Sequence, residues 1–269
     1  MNREQLRAND LAQMKGASAW LNALPLKHEG YVLNKREFFD AVSIRYRWRL
    51  RRLPINCACG KKFDIDHAMD CKKGGFIHRR HDGIRDMVAK MVEGVSYDVQ
   101  TEPPLEPVSG EKLRTGSNIK VYARLDIAAR GFWQRGEKAF FDVRVFDPFA
   151  KTHLCRNLES VFKQNETDKK REYNDRVIRI EHGSFTPIVT SAYGGFGRET
   201  SRFLSTLIDK ISEKQDTHKS MVANYVRTKL SFEIVRSQVL CIRGSRSLRK
   251  TNVDLAEIVV VQNTAEIQK

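Results

Sequence analysis

The first regular pattern of apolar positions begins at Asn34. Asn34 can cap a helix, Glu37 follows three residues later as in a capping box, and Phe39, Val42, Tyr46, Leu50 and Leu53 recur at helical spacing until Pro54. That spacing predicts a helix over 34–53. The residues before it are weakly patterned, and "GASAWLNALPL" reads as a partly packed entry segment. A second helix is expected over 82–93, where Ile84, Met87, Val88, Met91 and Val92 share one face and Gly94 follows as a stop.

The period then changes. "VSYDVQTE" alternates like a strand and "PPLEPVSGEKLRTGSN" has the composition of a loop. "IKVYARLDIAA" and "AFFDVRVF" read as two strands joined by a turn around Gly131–Gly136. A polar helix is expected over 157–175, then a strand in "RVIRIEH" and another in "TPIVTSAYGGFG" that runs into a glycine turn. Two amphipathic helices, over 198–212 and 217–240, close the pattern. The order predicts a mixed α/β (α+β) fold, a small mixed central sheet flanked by helices. The expected organisation is a helical basic segment over 1–54, a cysteine–histidine stretch over 55–80, the α/β region over 81–244 and a polar tail over 245–269.

Charge narrows the class of partner. The 269 residues carry 48 Lys and Arg against 33 Asp and Glu, a formal net charge of +15. Such a balance favours phosphate-rich partners, DNA first and RNA second. On the helix expected over 34–53, Arg45, Arg49 and Arg52 form one face with Arg47 and Arg51 beside it, as candidate DNA contacts. No apolar run approaches the roughly 20 residues that span a bilayer, and "MNREQLRAND" has no apolar core, so neither a membrane partner nor export is expected. A nuclear or cytoplasmic location follows, and the odd count of five cysteines fits a reducing compartment better than a disulfide framework.

Residues 55 to 86 hold three of the five cysteines and three of the seven histidines. Cys57, Cys59, His67 and Cys71 have the spacing C-x-C-x7-H-x3-C, a donor set that suits a structural zinc ion with four protein ligands. Gly60 permits a tight turn behind the first pair, and His67 and Cys71 share a face if that stretch is helical. His78 or His81 is the alternative fourth donor. Cys155 and Cys241 stand alone and read as small packed hydrophobes.

Asp126 and Asp142 each interrupt an otherwise apolar strand. A buried carboxylate needs a cation or hydrogen-bond donors, and two on adjacent strands can share Mg2+ or Mn2+. Arg144 falls on the same strand face as Asp142, and Lys169 and Lys170 on the following helix can stabilise charge on a phosphate. Strand acids neutralised by nearby arginines are the plainer account of the same residues.

In order along the chain, "CACGKKFDIDHAMDC", "RRHDGIRD", "RLDIAARG", "AFFDVRV" and "DKKREY" resemble the end of certain non-LTR retrotransposon polyproteins, over roughly residues 55–212. There a Cys-Cys-His-Cys zinc knuckle precedes a restriction-like endonuclease of the PD-(D/E)XK superfamily. The resemblance implies a nuclease that nicks target DNA to prime reverse transcription. It implies Asp126 and Asp142 as acids that hold a catalytic divalent cation, with Lys170 or Lys169, placed before Tyr173, as the lysine. Arg80 and His81, in the second motif, join the candidate DNA contacts. The chain departs from that pattern at Leu125, where the family has proline, and at Arg144, in the place of the usual lysine. Nothing reads as the paired aspartates of a polymerase palm. The expectation is therefore a metal-dependent DNA endonuclease, with a non-catalytic zinc-containing nucleic-acid-binding module as the alternative and a zinc-stabilised interaction domain as a third class.

Overall fold

The computed structural model describes residues 2–246; the tail expected over 245–269 lies outside the described residues from 247 onward. Two capping boxes start the N-terminal part. The Asn2 side chain accepts from Gln5 N–H and the Gln5 side chain accepts from Asn2 N–H, which opens α1 (Arg3–Gln13) in the stretch that showed little pattern. A single turn, α2 (Ala19–Asn22), follows, and the Asn34–Glu37 box then opens α3 (Lys35–Arg45) as expected.

The end of α3 differs from expectation: it stops at Arg45, well before Pro54. Trp48 N–H reaches Ser43 O at 2.8 Å and Arg47 N–H reaches Ile44 O at 3.3 Å, with Arg47 left-handed at φ 58°. This is a Schellman ending with arginine where glycine is usual. A non-glycine residue there costs about 1 kcal/mol. The cost is offset at a distance: Arg47 binds Asp66 through both nitrogens at 2.7 and 2.8 Å, reaches Glu4 at 3.1 Å, and lies 4.4 Å over the Phe149 ring.

A short helix, α4 (Ile65–Asp70), precedes the longer α5 (Phe76–Glu93), which begins six residues earlier than the apolar pattern announced because Gly75 turns the chain at φ 71°. The sheet has the order β1 (Tyr97–Thr101), β2 (Ile127–Arg130), β3 (Lys138–Phe146), β4 (Ser184–Ser191). β1–β2 and β2–β3 are antiparallel and β3–β4 parallel, so the sheet is mixed. The β3–β4 crossover carries α6 (Lys151–Leu154) and α7 (Leu158–Arg176); α8 (Arg198–Gln215) and α9 (Lys219–Arg243) follow β4.

Strand alternation assigns the two faces. Ala139, Phe141 and Val143 pack with Ile84, Val88, Phe203, Leu207 and Leu230 of α5, α8 and α9. Phe140 packs with Tyr173 of α7, and Phe146 with Val161 and Phe162 of the same helix. Asp142 and Arg144 share the parity of Phe140 and so belong to the α7 side. α2 and α3 lie on α9, where Trp20 and Ala41 meet Phe232 and Val235, while α1 sets Leu11 among Phe146 and Phe149.

One expected strand is replaced and another is shortened, β2 keeping only the end of "IKVYARLDIAA". "RVIRIEH" continues from α7 as a π-helical turn, Val177–Glu181, closed by His182 at φ 51°. Gly183 then passes so close to β3 that an added Cβ would meet Lys138 O. Residues 119–123 lie beyond any ladder, with Val121 63% and Tyr122 92% exposed. They are held as loop by Arg176, fully buried, whose guanidinium donates to the carbonyls of Glu106, Asn118 and Lys120 at 2.8–2.9 Å. The two terminal nitrogens of this buried charge are spread over three carbonyls, while its Nε has no partner, and the bonds organise the long loop before β2.

Candidate functional site

Cys57, Cys59, His67 and Cys71 converge. Gly60, at φ 87°, lets its N–H return to Cys57 O at 2.8 Å, while Cys57 N–H reaches Lys61 O at 2.8 Å, making the first pair a tight knuckle. The Asp64 side chain accepts from His67 N–H and starts α4, which carries His67 in its interior and Cys71 at its end. The donor atoms all lie within 4.8 Å of one another, with Cys57 Sγ 3.7 Å from Cys71 Sγ and Cys59 Sγ 3.3 Å from His67 Nε2. A tetrahedral zinc with bonds of about 2.3 Å to sulfur needs sulfur–sulfur edges of about 3.8 Å. The cluster can hold a zinc ion. Burial pushes the Cys57 thiol up, while the Lys61 backbone N–H draws the exposed Cys59 thiol down.

The knuckle is fastened to the rest of the fold. Cys57 and Cys71 share an apolar cluster with Ile44, Phe63, Met69, Phe76 and Cys241, so Cys241 is packed as expected. Cys155 is exposed instead, its sulfur accepting from Arg3 at 3.1 Å, because α6 is too short to bury it. Arg246 lies between the Phe63 and Phe76 rings, 5.0 and 4.7 Å from their centroids.

The acids form a second centre. The β2–β3 register pairs Ile127 with Phe141, which sets Asp126, one residue before β2, across from Asp142. Asp126 Oδ2 accepts from Val143 N–H at 2.6 Å and lies 3.2 Å from His81 Nε2, which also reaches Val143 O at 3.0 Å. Asp142 is buried and ion-paired with Lys169 Nζ at 2.7 Å. Burial pushes the Asp142 carboxyl up to about 6, Lys169 opposing and Asp126 reinforcing the shift. The hydrogen bond to Asp126 raises the His81 imidazole to about 9.

Of the expected lysines, Lys169 stands at the acids and Lys170 does not: Lys170 pairs with Glu199 at 2.8 Å. Tyr173 is buried under Lys169, 5.4 Å from ring centroid to Nζ, and its hydroxyl, raised to about 12 by burial, accepts from Asn118 at 3.2 Å. Arg144 is exposed and turns to Asn165 at 3.4 Å.

The arginines expected at DNA separate into two groups. Arg49 and Arg52 are exposed, as is Arg51. Arg45 is partly buried and donates to Ser18 Oγ at 2.6 Å, Arg47 is committed to Glu4 and Asp66, and Arg80 is buried and donates to Met69 O at 3.1 Å. Arg80 thus braces the knuckle from α5. His81, the next residue, faces the acids, a role its motif position did not separate from a DNA contact. Among the described residues no helix is long and apolar enough to cross a membrane. No family model matches this chain, and no curated protein matches it.

Proposed function

We propose that the chain is a metal-dependent DNA endonuclease of the restriction-like class, derived from a non-LTR retrotransposon polyprotein and stabilised by zinc at its knuckle. The observation that carries the reading is the pairing of Asp126 with Asp142 across β2 and β3, with Lys169 on Asp142. Asp126 and Asp142 would hold the Mg2+ or Mn2+ ion, which when bound supplies an activated water for attack on a phosphodiester. Burial keeps bulk water from Asp142, so its charge is expressed towards whatever cation stands beside it. Lys169 is placed to neutralise charge that develops on the scissile phosphate. His81, bonded to Asp126, fixes the orientation of that carboxylate. The basic surface brings the DNA backbone to the site.

One observation favours the non-catalytic nucleic-acid-binding module as a second reading. Each carboxylate already has a cationic or ionisable partner, His81 on Asp126 and Lys169 on Asp142, so the pair is charge-compensated without a metal. Nicking of supercoiled plasmid by the zinc-loaded chain in Mg2+ or Mn2+ separates the two. Conversion to open circle that Asp142→Ala abolishes, with zinc content and DNA affinity retained, is the result expected of an endonuclease. Equal conversion by wild type and variant, or none by either, leaves the binding module.

A further inference from the structure

The turn that ends α3 carries two large aromatic side chains outward. Tyr46 and Trp48 are 50% and 56% exposed, and their rings stack on each other at 5.2 Å with an interplanar angle of 25°. They sit on either side of Arg47, whose left-handed backbone and inward side chain fix the step between them. The chain beyond is equally constrained. Leu50 is buried, and Arg243 donates to the carbonyls of Arg51 and Arg52, both at 3.1 Å, while its guanidinium is clamped on the fully buried Asp40. Arg52 is itself left-handed at φ 55°. The backbone is thus pinned from beneath while the side chains of Arg49, Arg51 and Arg52 stand in solvent.

These cations have no acid partner among the described residues. The acids of the adjoining cleft are engaged elsewhere, Glu4 and Asp66 by Arg47 and Asp64 as the cap of α4. An exposed aromatic step and three arginines with no acid partner among the described residues thus stand together on one loop pinned from beneath.

We infer that Tyr46 and Trp48 form a stacking platform for unpaired bases, with Arg49, Arg51 and Arg52 receiving the phosphates, so that this surface takes single-stranded nucleic acid. In a duplex the base faces are covered by their neighbours and only edges and backbone are offered. A ring pair presented to solvent matches an unstacked base, and the guanidinium groups beside it match the backbone that joins successive bases. The inference deepens the nucleic-acid part of the proposed function and is independent of catalysis at Asp142.

Tryptophan fluorescence tests it on the full zinc-loaded chain. Trp20 is buried and Trp133 is half-buried against Phe132, so Trp48 is the exposed tryptophan of the three and quenching by an external base reports mainly on it. Oligothymidylate, oligouridylate and a blunt DNA duplex are titrated, with affinity followed in parallel by polarisation of end-labelled strands. Quenching by one or both single strands is expected, and comparing the two shows whether DNA or RNA is preferred. Trp48→Phe keeps single-strand affinity within a few-fold and loses the quenching. Trp48→Ala weakens it about tenfold or more, at constant zinc content, with duplex affinity unchanged. Binding without quenching, an equal loss for duplex and single strand, or no single-strand binding overturns the platform. Quenching without nicking defeats the nuclease reading alone, and nicking without quenching defeats the platform alone.

Discussion

Lys169 Nζ lies 2.7 Å from Asp142 Oδ2, while the adjacent Lys170 points to Glu199, so the two neighbouring lysines of α7 serve different centres. If Lys169 neutralises charge at the reacting phosphate, Lys169→Ala lowers the nicking rate by about 10²-fold or more, in line with the loss of one preorganised donor. Lys170→Ala leaves it within a few-fold. Gel quantification of open-circle product against time checks this, and equal loss in both variants removes Lys169 from the site.

The His81–Asp126 contact makes stability depend on pH. The folded imidazole titrates at about 9 against 6.5 unperturbed, so folding favours its charged form. The contribution is complete below pH 6.5 and disappears as pH rises through about 9. In thermal melts of the zinc-saturated protein, wild type should lose stability across that window relative to His81→Gln. Parallel curves for the two proteins would show that His81 gains nothing from Asp126.

Zinc and local structure at the knuckle should be lost together. The four donors come from one tight turn and one short helix, so metal binding and local order at the site are coupled. We expect about one zinc per chain by atomic absorption. A chelator should release hydrogen-exchange protection over 55–76 before it affects β3 and β4. Cys57→Ser or Cys71→Ser should lower zinc occupancy, and unaltered exchange in zinc-free protein argues against a structural metal.

Asp40 and Arg243 tie α3 to α9 through two bonds of 2.6 Å, and Asp40 is fully buried. Asp40→Ala leaves the arginine without its counter-ion and should cost about 3–5 kcal/mol in urea unfolding. Arg49→Ala, on the exposed loop, should stay within about 0.5 kcal/mol. A loss below about 1 kcal/mol for Asp40→Ala would show that water or the loop carbonyls satisfy Arg243 in its place.

Local rules were legible wherever a few neighbouring residues carried the whole signal. The Asn34–Glu37 box, the polar helix α7 after Asn157, the amphipathic α8 and the strand β3 all formed where their patterns lay. The metal-ligand spacing was likewise legible locally, because Gly60 and the Asp64 cap shape the turn and the short helix that carry the donors.

Patterns failed where a remote partner outweighed propensity. "RVIRIEH" has strand composition, yet only Val177 of the turn is buried, among Tyr173, Phe140 and Phe185, and the chain reaches β4 without leaving the helix. "IKVYARL" pairs only through a single bridge, Arg124 opposite Pro104, and Arg176, more than fifty residues away, bonds the carbonyls of Asn118 and Lys120 at its start. The helix expected over 34–53 ended at Arg45 because Arg47 gains Asp66, Glu4 and Phe149 only in the folded chain.

The sequence by itself determined the residue types at both centres, the basic surface charge and the order of most elements, all of which follow from composition and short-range spacing. Tertiary structure decided which of two adjacent lysines faces Asp142, that Arg80 braces the knuckle, and that His81 meets Asp126. One residue along a helix is a rotation of about 100°, so a motif cannot say which neighbour points inward. Only the packing of α5 and α7 against opposite faces of one sheet does that.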